Sequence, residues 1–571
     1  MKVTLDLDVK IEMRDGTLLN AEVWRNDDAT RAAPVILIRS PYPDPVARAS
    51  LDPVRAVRMG FAVVVQQIRG TGSSEGIFEP WVAEAKDGAD TIAWCARQSW
   101  CSGAVATMGL SYLAHAQLYA AGESAPALRA MVLEVVPSDA YGLTYIGGAL
   151  ALGSAMGWSI AQSANQILRQ LDRGEDALPG LQLLNQTLLE EPEPLRQPLR
   201  QVELLRRYFP SWEEWLDHPT HDDWWRSRAH RPGPRLPALC VGGWYDIFLR
   251  GTLETWRQVN GNPRSRLLIG PWGHNGRTSA LGELRFGSEA MSGRVDLMGQ
   301  ELNFLAAELN ETDPASETTP AQPPVRLFVM GANNWRDFQE WPPAQAVATD
   351  LYLRSDARLT TEPPAVESAF QSFDFDPADP VPTIGGPNLL SDSEAAYQTG
   401  PWDQASLDSR PDILRFSTGR LTEAVEVIGE VSVTLWAATS ASDTDWTAKL
   451  IDVWPDGRAI NIADGIIRAR HRLSVEKPQL PEPGRPYEYV IDLVATAHCF
   501  APDHRIRIDV SSSNFPRFDI NPGTGELMAD AEPDSYVVAT QRVYVDATHP
   551  SRVTLPMIPA APGAEFPQVT S

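Results

Sequence analysis

Cysteine is scarce. Only Cys95, Cys101, Cys240 and Cys499 occur in 571 residues, and no two form a Cys-x-x-Cys pair. That is too sparse for a disulfide scaffold. Cys240, inside the apolar run LPALCVGG, reads as a buried structural thiol. Histidine is also sparse, with nine residues, and His and Cys never cluster at ligand spacing, so no metal site is expected. His218 and His221, near several acids, read as surface polar residues. No apolar run approaches the roughly 20 residues needed to span a bilayer. The start, MKVTLDLDVKIEMRDG, alternates like a strand and lacks the basic start and apolar core of a signal peptide, so a soluble, cytoplasmic protein is expected. Positive charge is in deficit, with 49 Lys and Arg against 74 Asp and Glu and a net charge of −25. That balance argues against nucleic acid or an anionic membrane as a partner.

What is present is a chain long enough for two to four domains at about 100–200 residues each, with an ordinary 43% of apolar residues. From residue 34, short apolar runs alternate with helical patterns: PVILIR (34–39), FAVVVQQ (61–67), AVATMG (104–109), AMVLEVV (130–136), LPALCVGG (236–243) and RLLIG (266–270). Such runs suit strands buried on both faces, in a mainly parallel sheet covered by helices. Between about 146 and 234 the strand signal disappears, and AMGWSIAQSANQILRQL (155–171) and LQLLNQTLLEE (181–191) read as helices. After about 345 the runs alternate with period two, as in IGEVSVTLWAATS (428–440) and HRIRIDVSSS (504–513). The expected architecture is α/β: a core from 1–145 and 235–345, a helical cap inserted at 146–234, and an antiparallel sandwich or jelly roll over 346–571. The Pro-rich stretches 319–324 and 362–387 read as linkers near the boundary.

Ser111 follows the strand-like AVATMG and opens the helix-like SYLAHAQLYA. A serine there is either a helix N-cap or the nucleophile of a strand–turn–helix elbow. Gly109 permits the tight approach, while Leu113 stands where a glycine is usual and the small Ala114 follows it. A serine needs a general base. Of the nine histidines only His274 lies just beyond an α/β strand, in RLLIGPWGHNG; His115 is one helical turn beyond Ser111 and reads as pointing away from the elbow. Asp246, in the turn GGWYD after LPALCVGG, is the candidate carboxylate that holds the imidazole. Alone, Asp246 also reads as an N-cap and His274 as a turn residue. Together they give the order Ser111, Asp246, His274 at three strand ends, the order of an α/β-hydrolase.

GLSY (109–112), GGWYD (242–246) and GPWGH (270–274) resemble the signatures of the cocaine esterase-like hydrolases, relatives of the X-Pro dipeptidyl-peptidases and α-amino-acid ester hydrolases. The resemblance extends through IRSPY (38–42), IRGTGSSEG (68–76), TDWTAKLIDVWPDGRA (444–459) and HRIRIDVSSSNFPRFDIN (504–521). It implies an α/β-hydrolase core, an inserted cap and a C-terminal jelly roll. It further implies a serine esterase without a cofactor, working through Ser111, His274 and Asp246. The oxyanion hole it implies uses the Tyr42 hydroxyl and the Tyr112 backbone N–H. Trp158, Phe248 and Tyr145 are the implied wall of the acyl pocket, with Leu389 or Leu390 as contributions from the tail. The sequence departs from many relatives at Gln67, where an aspartate is usual, so the ion pair to Arg69 is expected to be missing or replaced. The acidic cluster that holds an ammonium group in amino-acid ester hydrolases has no signature around GGWYDIF. The implied partner is a small-molecule ester or amide, with an amidase or X-Pro dipeptidyl-peptidase as the alternative activity and a catalytically silent binding protein as the alternative class. The oligomeric state stays open, a homodimer included.

Overall fold

The structure is a computed structural model and describes residues 1–43, 47–123, 125–189, 198–309, 323–389 and 398–559. Ten strands form its largest sheet: β1 (Val3–Glu12), β2 (Leu18–Asn26), β3 (Ala33–Ser40), β4 (Ala62–Gln67), β5 (Cys101–Leu110), β6 (Leu128–Glu134), β7 (Ala238–Tyr245), β8 (Arg266–Gly273), β9 (Val325–Val329) and β10 (Asn334–Phe338). Their order is β1-β2-β4-β3-β5-β6-β7-β8-β9-β10. The strands from β4 across to β9 run parallel, and β1, β2 and β10 close the edges through antiparallel pairs.

Alternation within the apolar runs explains why helices cover both faces. In β3, Val35 and Leu37 belong to one cluster with Ile92 of α1 (Glu84–Ala96), Leu118 of α2 (Tyr112–Ala121) and Leu253 of α4 (Leu249–Val259). Ile36 and Ile38 point the other way, against Leu302 and Leu305 of α5 (Leu297–Leu309). All four β3 side chains are buried. Each contributes roughly 1.5–3 kcal/mol by leaving water, so a polar residue at any of them would break the layer.

Between β6 and β7 the chain leaves the sheet. The 21-residue helix α3 (Leu152–Asp172) and shorter helices up to Asp223–Ser227 pack over the elbow through Trp212, Trp215 and Trp225. From Val347 onward the described residues build two antiparallel sheets and no α-helix. One is built around Val425–Thr439, which pairs with Tyr487–Phe500, Ala539–Tyr544 and Arg552–Ile558; the other has four strands around Asp445–Val453 and Arg505–Ser511. One apolar cluster runs from Phe328 and Met330 of the core into Val427 and Met557 of this region. Backbone bonds join Met330 to Ala497 and Cys499 across the same junction.

Two expectations change. RLLIG, the final run of the apolar series and so the expected last core strand, is followed in the sheet by β9 and β10. The 362–387 stretch is not a linker: Phe370–Phe375 is a strand paired with Ala539–Tyr544, and its alternating burial was hidden among flanking prolines. Residues 319–322 of the other Pro-rich stretch lie outside the described residues. Among the described residues no helix is long and apolar enough to cross a membrane.

Candidate active site

Ser111 joins β5 to α2 with φ 60° and ψ −126°, and its side chain makes no capping bond. The N-cap reading therefore fails. A non-glycine residue held at positive φ costs on the order of 1–3 kcal/mol and persists where surrounding structure fixes it. The Ser111 N–H donates to the Glu134 carbonyl of β6 at 2.9 Å, while the Ser111 carbonyl accepts from Ala114 and His115 of α2. A Cβ on Gly109 would stand 2.5 Å from the Leu113 Cβ. Gly109 thus makes room for Leu113, which explains how the turn tolerates leucine there.

The carboxyl ends of β7 and β8 bring the other two groups to Ser111. Asp246 directly follows β7, and His274 directly follows β8. The His274 Nδ1 lies 2.9 Å from Asp246 Oδ2, and its Nε2 lies 3.0 Å from Ser111 Oγ. Asp246 Oδ1 accepts from the Phe248 N–H at 2.6 Å, which fixes the carboxylate's rotation. The Phe248 ring meets His274 edge-on at 5.2 Å. Ser111, Asp246 and His274 are 6, 2 and 6% exposed, so the three groups lie in a medium where charge interactions are strong.

Tyr42 sits two residues past β3, its N–H bonded to Ser40 Oγ at 3.0 Å. Its hydroxyl accepts from the Trp158 indole N–H at 3.0 Å, and Tyr42 lines the same cavity as Ser111. With Trp158 occupying a lone pair, the phenol proton is free to point at a third group. Burial raises the Tyr42 pKa, so the group stays a donor. Tyr112, the first residue of α2, has a backbone N–H with no intrahelical partner. Its side chain is anchored: the hydroxyl donates to buried Glu84 and accepts from the Trp81 N–H. The Tyr112 ring stacks on Trp158 at 5.8 Å.

A cavity of about 280 Å³ opens over these groups. Trp158, Phe248 and Leu389 line it, as do Trp81 and Trp215, which the sequence reading did not single out. Leu390 lies outside the described residues. Tyr145 is not in this wall. Its hydroxyl donates to the Trp215 carbonyl at 2.9 Å, its ring stacks on Tyr141, and it borders a separate cavity of about 90 Å³. His115 borders the same cavity but is completely buried, with its ring against Tyr119 and His230. Among the described residues no Asp or Glu lines it. At the Gln67 departure, Arg69 pairs instead with Asp87 at 2.7 Å and Asp15 at 2.9 Å, while Gln67 Oε1 accepts from the Ser73 N–H.

All four cysteines are free, and burial pushes the Cys240 thiol up to about 12. His218 bonds Asp222 and stacks on Trp224 rather than joining a ligand set. No group of metal-ligating side chains occurs among the described residues.

Comparison with known proteins finds two family matches: X-Pro dipeptidyl-peptidase (S15 family) over residues 15–276, and X-Pro dipeptidyl-peptidase C-terminal non-catalytic domain over 319–554. The chain is 38% identical to a cocaine esterase of Rhodococcus sp. (strain MB1 Bresler), over 96% of this chain and 98% of that protein. Among solved structures, it matches an aminopeptidase from a marine sediment Thaumarchaeota archaeon with a TM-score of 0.82 and 26% identity, covering 98% of this chain and 96% of that one. It matches an α-amino acid ester hydrolase with a TM-score of 0.80 and 27% identity, covering 97% and 96%.

Proposed function

The chain belongs to the cocaine esterase-like hydrolases of the S15 family, and from that premise we propose that it cleaves a neutral carboxylic ester through an acyl-enzyme on Ser111. The observation that carries this reading is the hydrogen-bonded line from Asp246 through His274 to Ser111, ending at an aromatic cavity. His274 Nε2 takes the Ser111 proton as Oγ attacks the ester carbonyl. The imidazolium that forms is stabilised by Asp246, which stays ionised. The carbonyl oxygen becomes an oxyanion and accepts from the Tyr42 hydroxyl and the Tyr112 N–H. Collapse expels the alcohol, which takes its proton from His274. Water then gives a proton to His274 and attacks the acyl-enzyme; collapse releases the acid, and Ser111 Oγ leaves with the proton that His274 returns, restoring both residues.

The S15 matches make an X-Pro dipeptidyl-peptidase or amidase the second reading. Such a peptidase must bind a free ammonium group, and a buried charge needs a partner. Among the described residues the cavity lining offers no carboxylate, which supports the ester. The partner is then a small molecule, and the free thiols fit the reducing cytoplasm. A panel of p-nitrophenyl esters beside X-Pro p-nitroanilides tests the reading. Ester turnover with little anilide turnover is expected. The reverse order would favour the peptidase, and no turnover of either would favour a binding protein.

A further inference from the structure

Gly157 lies inside the 21-residue helix α3. Glycine is among the poorest helix formers, because it has the most backbone freedom to lose. The backbone at Gly157 does not ask for it, since the residue is outside the left-handed region that favours glycine. Packing does not ask for it either: a Cβ there would meet no atom of a neighbouring element within 4 Å. Gly180, in the next helix, differs. A Cβ on Gly180 would stand 2.8 Å from Ile167 of α3, so close packing explains that glycine.

What Gly157 borders is the cavity over Ser111. Residues three and four apart share a helix face, and Ser154 and Ala161 line the same cavity. A side chain at 157 therefore projects into that space. The helix is also pinned, so it cannot retreat to make room. Trp158 is bonded to the Tyr42 hydroxyl at 3.0 Å and stacked on Tyr112 at 5.8 Å. The Gly153 N–H donates to the Arg517 carbonyl at 3.3 Å, and Arg169 donates to the Gly72 carbonyl at 3.0 Å.

We propose that Gly157 is a specificity-determining position: by carrying no side chain it keeps room beside Trp158 for an ester with a ring-sized apolar group. This rests on the esterase reading. Trp81, Trp158, Trp215 and Phe248 give such a group apolar, aromatic walls. A side chain at 157 takes the same space and turns the enzyme toward small esters.

The test reads kcat/KM for a bulky ester over that for a small one, in two arms. The acyl arm sets p-nitrophenyl benzoate against p-nitrophenyl acetate, and the alcohol arm sets benzyl acetate against ethyl acetate. Comparing each ratio between wild type and variant cancels the intrinsic reactivity of the esters. One methylene in an apolar pocket is worth about tenfold or more. Gly157→Leu should therefore lower the ratio at least about tenfold in one arm, and the arm that moves identifies the half of the ester that fills the space. Gly157→Met, with an unbranched chain that bends to fit, should show the same loss and gives the answer should Gly157→Leu not fold. Gly157→Ala should melt at or above the wild-type Tm, because alanine favours the helix. Smaller shifts in both arms would overturn the proposal. So would a lower Tm for Gly157→Ala, which would make the glycine a packing residue, or a wild type that turns over the small esters and neither bulky one. No turnover of any of the four esters is failure of the esterase reading, whereas turnover with unmoved ratios is failure of this one.

Discussion

The Trp158 indole N–H donates to the Tyr42 hydroxyl oxygen at 3.0 Å, joining a helix of the inserted segment to the turn that follows a core strand. The bond leaves the Tyr42 proton free, and under the proposed mechanism it donates to the reacting carbonyl. Trp158→Phe keeps a ring against Tyr112 but removes the bond. We expect kcat to fall about three- to tenfold, the scale of one neutral hydrogen bond. In a Tyr42→Phe background the same change should cost little more, since both act on one donor. Full additivity of the two losses would show that Trp158 only packs.

Tyr42→Phe itself should lower kcat more than KM, because the oxyanion exists only near the transition state. Loss of one such donor costs about 10²–10³ in a well-studied protease. The ring remains and water can reach the freed indole at the cavity edge, so Tm should stay near wild type. Steady-state hydrolysis of p-nitrophenyl acetate with a thermal melt separates the cases. Unchanged kcat would reduce Tyr42 to a turn aromatic.

Asp246→Asn should preserve the fold and cut turnover by about 10⁴, as when a triad aspartate is replaced and the imidazole tautomer is wrong. Asp246 Oδ2 faces His274 Nδ1, so the amide in that position cannot stabilise the imidazolium. Turnover within tenfold of wild type would remove Asp246 from the relay.

Acid should weaken the protein through His471. Burial lowers its pKa from 6.5 to about 4, although its Nδ1 bonds the Ser474 carbonyl at 3.2 Å. The unfolded chain therefore binds this proton first as pH falls. The stabilisation is fully present above pH 6.5 and is lost progressively toward pH 4, by at most about 1.4 kcal/mol per pH unit. Urea midpoints at pH 7 and pH 5 measure it. His471→Gln should show a smaller acid loss than wild type, and equal losses would contradict the assignment.

The parallel core was readable because PVILIR and AVATMG carry no polar alternation, and only a strand covered on both faces permits that. The catalytic candidates were readable because each follows such a run. Side-chain direction was harder. The positive φ of Ser111 sets how α2 leaves the sheet, and that rotation is invisible in residue spacing. Tyr145 misled for a related reason: Trp215, far away in sequence, stands between it and the substrate space. Strand Phe370–Phe375 was obscured by prolines on both sides, which mark its ends rather than a linker.

The central claim is that Ser111 is the nucleophile. Its most direct test is intact mass and peptide mapping after treatment with a fluorophosphonate, for wild type and Ser111→Ala. One phosphonyl adduct on the peptide containing Ser111, with parallel loss of esterase activity and no adduct on the variant, is the predicted result. An adduct on another residue, or burst-phase ester cleavage by Ser111→Ala, would contradict it.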